Sequence, residues 1–483
     1  MKTIEQIYTG CLAQGAYFIE SEGEAAVIDP LRETLPYIRR AAERGVKIKY
    51  IFETHFHADF VSGHVDLAHK TGATIVYGPS AVTSFESHTA TDGEVFNIGK
   101  IKIKVLHTPG HTPESTTYLL INDKGIEEAI FTGDTLFIGD VGRPDLAQKA
   151  TNLTQEDLAG CLFDSLRSKI FPLPDDIIVY PAHGAGSACG KNMSTETWDT
   201  LGNQKKTNYA MRANMTRDEF IREVTDGLLP PPQYFAKNAK MNKEGYNEFD
   251  KVMAAGSKAL SVNEFEVLGE EDDVLILDVR HQKDFVHGHI PGSIFIGLNG
   301  SFAPWVGAMI PDINQKIILI TPDGLEEETV MRLARVGYDH ALGYLKGGIN
   351  AWRDAGKSVV EIKSIDVGEF KNQYEHNPDI SILDVRKPDE WEKSHISTAQ
   401  HFPLDFINEH MTEILPGNTY YLHCRSGYRS TVASSILKAR GYHNLVDVIG
   451  AFDDIKASVF PIEGNCESLL NPSETAEDML EKD

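Results

Sequence analysis

The sequence predicts an α/β protein of about three domains. Its 483 residues exceed what one hydrophobic core usually serves. In roughly the first half of the chain, short apolar strands alternate with loops and helices, and the second half contains an internal repeat of roughly 105 residues. These patterns indicate one domain with many strands, followed by two domains of shared design.

Short apolar runs within residues 1–240 read as β-strands, because polar or turn-forming residues bound them. They are residues 25–28, 50–52, 74–77, 101–106, 129–131 and 177–180. Each of the last five leads into a loop, and several of those loops carry histidine or aspartate. The proline run 230–232 and the polar stretch 237–246 indicate the exit from this domain.

The repeat is visible in matching segments. Residues 274–280 (VLILDVR) recur as 380–386 (ISILDVR), and residues 287–291 (HGHIP) recur more weakly as 393–397 (KSHIS). Because strands alternate with helices in each copy, we expect two open parallel α/β sheets.

The predicted organisation has four parts. The first domain covers residues 1–240, the two repeat copies cover 256–358 and 362–465, and an acidic tail covers 466–483. The tail beyond Cys466 holds six acids and no aromatic residue, so we expect it to be frayed or disordered.

Composition and charge disfavour several functions. A net charge of −25 argues against a nucleic-acid or anionic-membrane surface, since either needs a basic patch. No stretch approaches the ~18 uninterrupted apolar residues of a membrane span, and the first residues lack the pattern of a secretory signal. The five cysteines are odd in number and scattered, which suits reduced thiols better than a disulfide framework. We therefore predict a soluble, cytoplasmic protein.

Histidines and aspartates cluster at four predicted strand ends. The segments are THFHAD (54–59), HTPGH (107–111), TGD (132–134) and PAHG (181–184). One histidine alone would be an ordinary surface or core residue. Four strand ends that deliver histidine or aspartate together indicate a metal site.

In this order the four motifs resemble those of the metallo-β-lactamase superfamily, which implies an αββα sandwich for the first domain. Typical dinuclear zinc members of that family continue the first motif with a histidine that serves the second metal. Phe60 occupies that position here, and an apolar ring cannot ligate a metal. The departure disfavours a two-zinc hydrolase.

Within that superfamily the chain is similar to the persulfide dioxygenases. The resemblance implies one Fe(II) per chain, held by His55, His111 and Asp134. Two histidines and a carboxylate form the facial triad of oxygen-activating iron enzymes, which leaves open positions for a thiol substrate and O2. Zinc in such a site polarises water but, being redox-inert, does not activate dioxygen.

The same resemblance implies supporting roles for further residues. The residues that would orient ligands and water are His57, Asp59 and His183. Those that would lie beside the substrate channel are Arg143, Lys191 and Cys189. The two cations offer fixed positive charge to an anionic thiol persulfide, but structural ion pairs explain them equally well. The cysteine is either a sulfur acceptor or a passive small residue. Asp59 is also consistent with a turn cap.

A second reactive motif, HCRSGYRS, covers residues 423–430. It follows an apolar stretch and precedes a predicted helix, so Cys424 is expected among backbone N–H groups at a helix N-terminus. Those groups, together with Arg425 and Arg429, lower a thiol pKa and stabilise an anionic sulfur. Phosphatases use related CxxxxR loops, so the motif alone leaves two chemistries open.

The surroundings of this loop resemble the rhodanese family. That resemblance implies that Cys424 carries a persulfide and that Arg425 and Arg429 bind thiosulfate or sulfite. Asp384 and Arg386, in the repeated segment, are interpreted as a buried structural pair.

The first copy, which we term the Cys-less copy (256–358), lacks this chemistry. Its corresponding loop, ITPDGLEE (320–327), carries acids in place of basic residues, and no cysteine occurs between Cys189 and Cys424. We therefore expect a degenerate rhodanese-like domain that serves as a spacer, an interface or a platform.

Together the motifs resemble CstB-like fusions of a persulfide dioxygenase with a degenerate and an active rhodanese. This implies oxidation of a low-molecular-weight thiol persulfide by O2 to sulfite, thiosulfate formation at Cys424, and a homo-oligomer. Fusion would raise the effective concentration of sulfite at the second site. Two alternatives remain: a zinc thioester hydrolase of the glyoxalase II type, and a non-enzymatic sulfur carrier or sensor.

Overall fold

The computed structural model forms two compact units. The first comprises Met1–Lys251 with Leu333–Tyr338, and the second comprises Val252–Arg332 with Asp339–Asp483. The described residues are 2–147, 152–228 and 230–464. The predicted acidic tail, 466–483, lies outside them.

Two six-stranded sheets form the framework of the first unit. In spatial order, the first sheet contains β1 (Lys2–Thr9), β2 (Gln14–Ser21), β3 (Glu24–Ile28), β4 (Lys47–Glu53), β5 (Thr74–Tyr77) and β6 (His88–Thr89). From one edge to the other, the second sheet contains β7 (Val95–Ile98), β8 (Ile101–His107), β9 (Thr116–Ile121), β10 (Glu127–Gly133), β11 (Ile178–Pro181) and β12 (Asp199–Thr200).

Among the described residues, seven helices accompany these strands, and the last of them continues past Lys251 into the second unit. They are α1 (Leu35–Arg44), α2 (His64–Thr71), α3 (Gln155–Ser165), α4 (Leu201–Thr207), α5 (Arg217–Thr225), α6 (Phe235–Glu244) and α7 (Phe249–Gly256). Thr154 and Thr216 cap α3 and α5, because each side chain accepts a hydrogen bond from the third residue of its helix.

Alternating side chains along the strands build three apolar layers. Tyr17 of β2 packs with Phe131 of β10 between the two sheets. The next residue along β2, Phe18, points the other way and packs with Tyr37 of α1. Leu162 of α3 belongs to the layer on the far side of the second sheet. The order helix, sheet, sheet, helix confirms the predicted αββα sandwich.

Two five-stranded sheets form the framework of the second unit. The first has the spatial order β13-β17-β16-β14-β15, from β13 (Ala259–Leu260), β14 (Val274–Asp278), β15 (Ile294–Phe295), β16 (Lys316–Ile320) and β17 (Ala341–Leu345). The second has the order β18-β23-β22-β19-β21, from β18 (Lys363–Asp366), β19 (Ser381–Asp384), β21 (Gln400–His401), β22 (Tyr420–His423) and β23 (Leu445–Ile449). A separate antiparallel pair joins β20 (His395–Ile396) to β24 (Ile462–Glu463).

Every neighbouring pair within the two five-stranded sheets is parallel, and both sheets have the same strand order. The duplication and its open parallel sheets are therefore confirmed. Each sheet falls inside one of the predicted ranges 256–358 and 362–465, whose exact limits stay a prediction.

Helices connect the parallel strands of both copies. They are α8 (Val262–Gly269), α9 (Gln282–Val286), α10 (Phe302–Met309), α11 (Glu326–Arg335) and α12 (Gly348–Asp354), then α13 (Val367–His376), α14 (Pro388–Lys393), α15 (Ile407–His410), α16 (Tyr428–Ala439) and α17 (Phe452–Lys456). Among residues 2–147, 152–228 and 230–464, none of the helices is long and apolar enough to cross a membrane.

The repeated AspValArg segment makes the same buried ion pair in both copies. Arg280 binds Asp278 through Nη2 and Oδ2 at 2.6 Å, and Arg386 binds Asp384 in the same way at 2.5 Å. Each guanidinium also donates to a backbone carbonyl, that of Gly288 or Ser394. The pair therefore ties the end of a central strand to the following loop, as interpreted from the sequence.

A buried carboxyl group, Asp447 on β23, anchors α16. Thr431 Oγ1 lies 2.6 Å from Asp447 Oδ2 and 2.8 Å from the Gly427 carbonyl oxygen. A hydroxyl has only one hydrogen to donate. If Thr431 donates it to the Gly427 carbonyl, the contact with Asp447 is a hydrogen bond only when Asp447 is protonated and donates to Thr431 Oγ1. Burial raises the pKa of Asp447 to about 6, in agreement with this pattern.

The raised pKa predicts a pH-dependent loss of stability. The unfolded carboxyl ionises near pH 3.8, whereas the folded one ionises near pH 6, so stability falls as pH rises through this window. Between pH 5 and pH 7.5 the wild type should lose about 1 kcal/mol of unfolding free energy that Asp447→Asn keeps, because an amide donates at any pH. Denaturant titration at both pH values measures this. Asp453→Asn, an exposed control on α17, should behave as wild type, and an unchanged pH dependence in Asp447→Asn would contradict the assignment.

Candidate functional site

The candidate site of the first unit lies where strands from both sheets end. β4 ends at Glu53, β8 at His107, β10 at Gly133 and β11 at Pro181, and the four polar motifs overlap or follow these ends. Gly133 has a φ of +52°, and a Cβ there would lie 2.6 Å from the side chain of Thr54. Glycine therefore lets the TGD segment approach the THFHAD loop closely.

The structure brings His55, His111 and Asp134 together. His55 Nε2 lies 3.7 Å from Asp134 Oδ2, and His111 Nε2 lies 3.4 Å from the same oxygen. All three side chains are buried, and one ligand atom from each lies within 4.8 Å of the others.

Thr54 fixes which nitrogen of His55 carries the proton. Its hydroxyl donates to Asp29 Oδ2 at 2.8 Å, so it accepts from His55 Nδ1 at 3.0 Å. The other nitrogen, Nε2, therefore keeps a bare lone pair that faces Asp134. Burial holds the pKa of His55 well below its usual value, which favours this neutral ring.

A backbone carbonyl fixes the ring of His111 in the same way. His111 Nδ1 lies 2.8 Å from the carbonyl oxygen of Arg143. A carbonyl oxygen only accepts, so Nδ1 is the donor and Nε2 is bare.

Electron-pair donors from the three side chains thus face one another with no hydrogen between them. His55 Nε2 and Asp134 Oδ2 are buried and make no hydrogen bond among the described residues. Such a group of bare acceptors is repulsive unless a cation occupies the space between them. Two neutral imidazoles and a carboxylate fit a divalent first-row metal with open coordination positions.

His183 lies between two carboxylates. Its Nδ1 is 2.8 Å from Asp134 Oδ1, and its Nε2 is 2.8 Å from Asp59 Oδ2. Burial opposes a charge on the ring, but the two carboxylates outweigh it and hold the pKa of His183 well above its usual value. The contact to Oδ1 leaves Oδ2 of Asp134 turned toward the two bare nitrogens. His183 and Asp59 thus orient the carboxylate.

His57 and Phe60 occupy the rest of the pocket. His57 Nε2 lies 3.1 Å from Asp29 Oδ1 and 3.7 Å from Glu53 Oε2, so that nitrogen faces two other buried carboxylates. The buried ring of Phe60 lies 4.4 Å from the ring of His57, centroid to centroid. An apolar ring therefore stands next to the group where a second metal would need another ligand.

The two predicted substrate-binding cations are held by the protein itself. Arg143 makes a two-pronged ion pair with Asp145, at 2.6 and 2.7 Å. Lys191 Nζ donates to the backbone carbonyls of Glu223, at 2.9 Å, and Asp226. Their role in binding a persulfide stays a prediction beside these structural contacts.

Cys189 lies beside the candidate metal ligands. One ligand atom each from Asp134, His183 and Cys189 lie within 4.8 Å of one another. Burial raises the pKa of the Cys189 thiol well above its usual value, and the nearby carboxylates raise it further. A thiol held neutral is a poor nucleophile, which favours the passive reading.

The second candidate site is the loop between β22 and α16. Cys424 directly follows β22 and is buried, and Gly427 N donates to its Sγ at 3.1 Å. Ser430 Oγ lies 3.7 Å from the same sulfur. Gly427 has a φ of +100°, which lets the loop curl around the sulfur before α16 begins. Backbone N–H groups at a helix N-terminus stabilise an anion there.

The two arginines of this loop differ in their surroundings. Arg429 is buried and pairs with Glu390 of α14 through both terminal nitrogens, at 2.5 and 3.0 Å. Arg425 is only partly buried, and its carbonyl oxygen accepts from Phe452 N at 2.9 Å. Anion binding by Arg429 would therefore have to share the guanidinium with Glu390.

Two carboxylates of the first site were missed from the sequence. Asp29 directly follows the predicted strand 25–28, and Glu53 directly follows the strand 50–52. Both are buried and lie against His57. An acid placed next to an apolar strand and close to a histidine motif is a signal that would have found them.

Two family profiles match this chain. The metallo-β-lactamase superfamily matches residues 9–183, and the rhodanese-like domain matches residues 261–355 and again residues 366–458. The human mitochondrial persulfide dioxygenase ETHE1 is 32% identical over 222 residues, which cover 45% of this chain and 78% of the human protein. The chain belongs to the metallo-β-lactamase superfamily, in its persulfide dioxygenase branch.

Other relatives bear on this membership. The probable hydroxyacylglutathione hydrolase glo2 of Schizosaccharomyces pombe is 31% identical over 173 residues, which cover 35% of this chain and 62% of the yeast protein. A crystal structure of a metallo-β-lactamase from Staphylococcus aureus is 33% identical with a TM-score of 0.63, and covers 71% of this chain and 98% of that one. Membership of the persulfide dioxygenase branch, with rhodanese-like domains, supports an enzyme of sulfur metabolism.

Removal of one triad residue should remove the metal. We expect His111→Ala and Asp134→Ala to lower divalent-metal occupancy about tenfold or more, because either change leaves two donors. The measurement is metal per chain after anaerobic loading and desalting. His107→Ala is a matched control, since His107 lies in the same HTPGH segment and its ring bonds the Pro113 carbonyl instead. Full metal occupancy in His111→Ala would show that the ligand assignment is wrong.

Proposed function

We propose that the first unit oxidises a low-molecular-weight thiol persulfide with O2 at a mononuclear iron(II) site held by His55, His111 and Asp134. The observation that carries this proposal is the set of bare acceptor atoms around Asp134 Oδ2. It supports a two-histidine, one-carboxylate site in a chain of the persulfide dioxygenase branch. Bound iron(II) would supply open positions and the electrons needed to activate dioxygen.

The overall reaction balances without a further co-reactant. One persulfide anion, one O2 and one water give one thiolate, one sulfite and two protons. The outer sulfur is oxidised, and the four electrons that it loses reduce both oxygen atoms of O2. The protein must therefore bind an anionic sulfur compound and dispose of protons.

The residues around the triad support these tasks. Thr54 and the Arg143 carbonyl hold both imidazoles with Nε2 bare, so the ligand set needs little rearrangement. His183 keeps the carboxylate of Asp134 turned toward the two rings. Phe60 is an apolar neighbour that offers no ligand to a second metal. Under this proposal Asp59 and His57 are positioning residues.

We further propose that Cys424 passes sulfur to sulfite. A thiol persulfide transfers its outer sulfur to the Cys424 thiol, and the low-molecular-weight thiol leaves with the proton. Sulfite then attacks that sulfur, thiosulfate leaves and the Cys424 thiolate returns. The Gly427 N–H, 3.1 Å from Sγ, supports the anionic sulfur in both states. Arg425 and Arg429 are the candidates to bind the incoming anion, and Arg429 would do so while it shares its guanidinium with Glu390.

The second candidate function is a zinc thioester hydrolase, favoured by the likeness to the yeast hydrolase glo2. Phe60 weighs against it, because a two-zinc site needs a ligand where this chain has an apolar ring.

Oxygen uptake tests the proposed oxidation. We expect anaerobically prepared, iron-loaded protein to consume about one O2 per sulfite formed when it is given a thiol persulfide. The Asp134→Ala variant should consume less than about a hundredth as much. Zinc-loaded protein is the control for metal identity, and it should show no uptake. Iron-loaded protein without uptake, together with thioester cleavage by the zinc form, would overturn the proposal.

Product analysis tests Cys424. The Cys424→Ser variant should keep the oxygen uptake of wild type, whereas its product should shift from thiosulfate to sulfite by about tenfold or more, because serine forms no persulfide. Both anions are measured by chromatography of their bimane derivatives. Cys161→Ser is the matched control, since Cys161 lies on α3 in the first unit. Unchanged thiosulfate formation in Cys424→Ser would rule out the role of Cys424.

A further inference from the structure

The Cys-less copy contacts the helix that carries the reactive loop of the other copy. β15 is the edge strand of its sheet, so one side of its backbone has no strand partner in that sheet. On that side Phe295 N donates to Ser435 Oγ of α16 at 2.9 Å. The unpaired backbone groups of an edge strand are often covered by a helix or a loop, and here α16 covers those of β15.

A second contact reaches the loop directly. Tyr428, the first residue of α16, donates its hydroxyl hydrogen to the carbonyl oxygen of Gly297 at 2.7 Å. The rings of Phe295 and Tyr428 meet edge to face, with centroids 5.6 Å apart. Phe295 and Tyr428 are almost fully buried, at 0% and 1% exposure. The Cys-less copy therefore holds both the ring and the hydroxyl of Tyr428.

A glycine in the Cys-less copy leaves room for that ring. A Cβ on Gly300 would lie 2.7 Å from the nearest ring carbon of Tyr428, closer than van der Waals contact allows. The segment 295–300 thus packs against the ring of Tyr428 and accepts a hydrogen bond from its hydroxyl. Since a core is close-packed, a change at Gly300 would move Tyr428.

The position of Tyr428 bears on the sulfur through its chain neighbour. Tyr428 follows Gly427, whose N–H donates to Cys424 Sγ. A hydrogen bond weakens steeply once its angle falls below about 120°, so a displacement of Tyr428 that tilts the Gly427 N–H away from the sulfur lowers the stabilisation of an anionic sulfur.

We propose that the Cys-less copy is part of the sulfur-transfer machinery, and that it positions the Cys424 loop through Tyr428. This inference rests on the proposed sulfur transfer at Cys424 and assigns a role to a copy that has no cysteine of its own. Tyr428 is a positioning residue, because it acts on the sulfur through Gly427. The Cys-less copy does not change which substrate reacts at Cys424. It sets the reactivity of the Cys424 thiolate.

The test uses one change on each side of the contact, in the full-length protein. Tyr428→Phe keeps the ring and removes only the hydroxyl, and Gly300→Ala pushes on the ring from the Cys-less copy. The matched controls are Tyr442→Phe, whose hydroxyl donates to the Met411 carbonyl within the second copy, and Gly417→Ala, where a Cβ meets no atom within 4 Å.

Two readouts separate positioning from mere stability. The first is the rate of Cys424 alkylation by iodoacetamide between pH 5 and pH 10, followed by peptide mass spectrometry. The second is steady-state sulfur transfer from thiosulfate to cyanide. For Tyr428→Phe and Gly300→Ala we expect the alkylation midpoint to rise by about one pH unit and kcat to fall about tenfold, with KM changed less than about twofold. Both controls should match wild type.

The outcomes decide the inference. A raised midpoint and a lower kcat in both variants, with a melting temperature like that of Tyr442→Phe, support it. A wild-type alkylation profile in Tyr428→Phe overturns it, and so does a loss of rate that Tyr442→Phe shares. If the wild type transfers no sulfur at all, the proposed function of Cys424 fails, whereas the alkylation profiles still decide whether Tyr428 positions the loop.

Discussion

The buried carboxylate of Asp134 is the group on which the first site depends. Burial alone would raise its pKa, but the charge and the hydrogen bond of His183 outweigh that effect and hold the pKa well below its usual range. An ionised carboxylate in this position needs compensation on both oxygens. His183 provides it at Oδ1, whereas Oδ2 faces two nitrogens whose hydrogens lie on the far side of their rings. A cation at Oδ2 would compensate the negative charge on that oxygen.

That arrangement is set at a distance from the ligands. Asp29 accepts from both the backbone N–H and the hydroxyl of Thr54, and the hydroxyl in turn fixes the ring of His55. The same carboxylate lies 3.1 Å from Nε2 of His57, the second histidine of the THFHAD segment. Asp29 adopts a φ of +48°, an uncommon backbone conformation for a residue other than glycine. Local strain is retained where the surrounding contacts over-determine it, as they do here.

The fold class, the duplication and the four motif-bearing strand ends were predictable, because each leaves a local pattern of apolar and polar residues. The approach of His55, His111 and Asp134 followed from the resemblance, and the structure brings the three together. Contacts between residues far apart in sequence leave no such pattern. The bond between Tyr428 and Gly297 joins residues 131 positions apart, and neither residue type signals it. Likewise, Lys191 reads as a free cation until the fold places two carbonyl groups around it.

Duplication explains why a copy without cysteine persists as a folded domain. The carboxylate–arginine pair of each copy involves neither the Cys424 loop nor its counterpart at residues 320–327. The two sheets therefore share one strand order, although acids stand in the counterpart loop. The edge strand β15 still had backbone hydrogen-bonding groups to satisfy, and Ser435 satisfies one of them. Once α16 covers that edge, any change in the Cys-less copy that shifts Phe295 also shifts the helix that starts at Tyr428. The copy without a cysteine is thereby constrained by its contacts with the helix that follows Cys424.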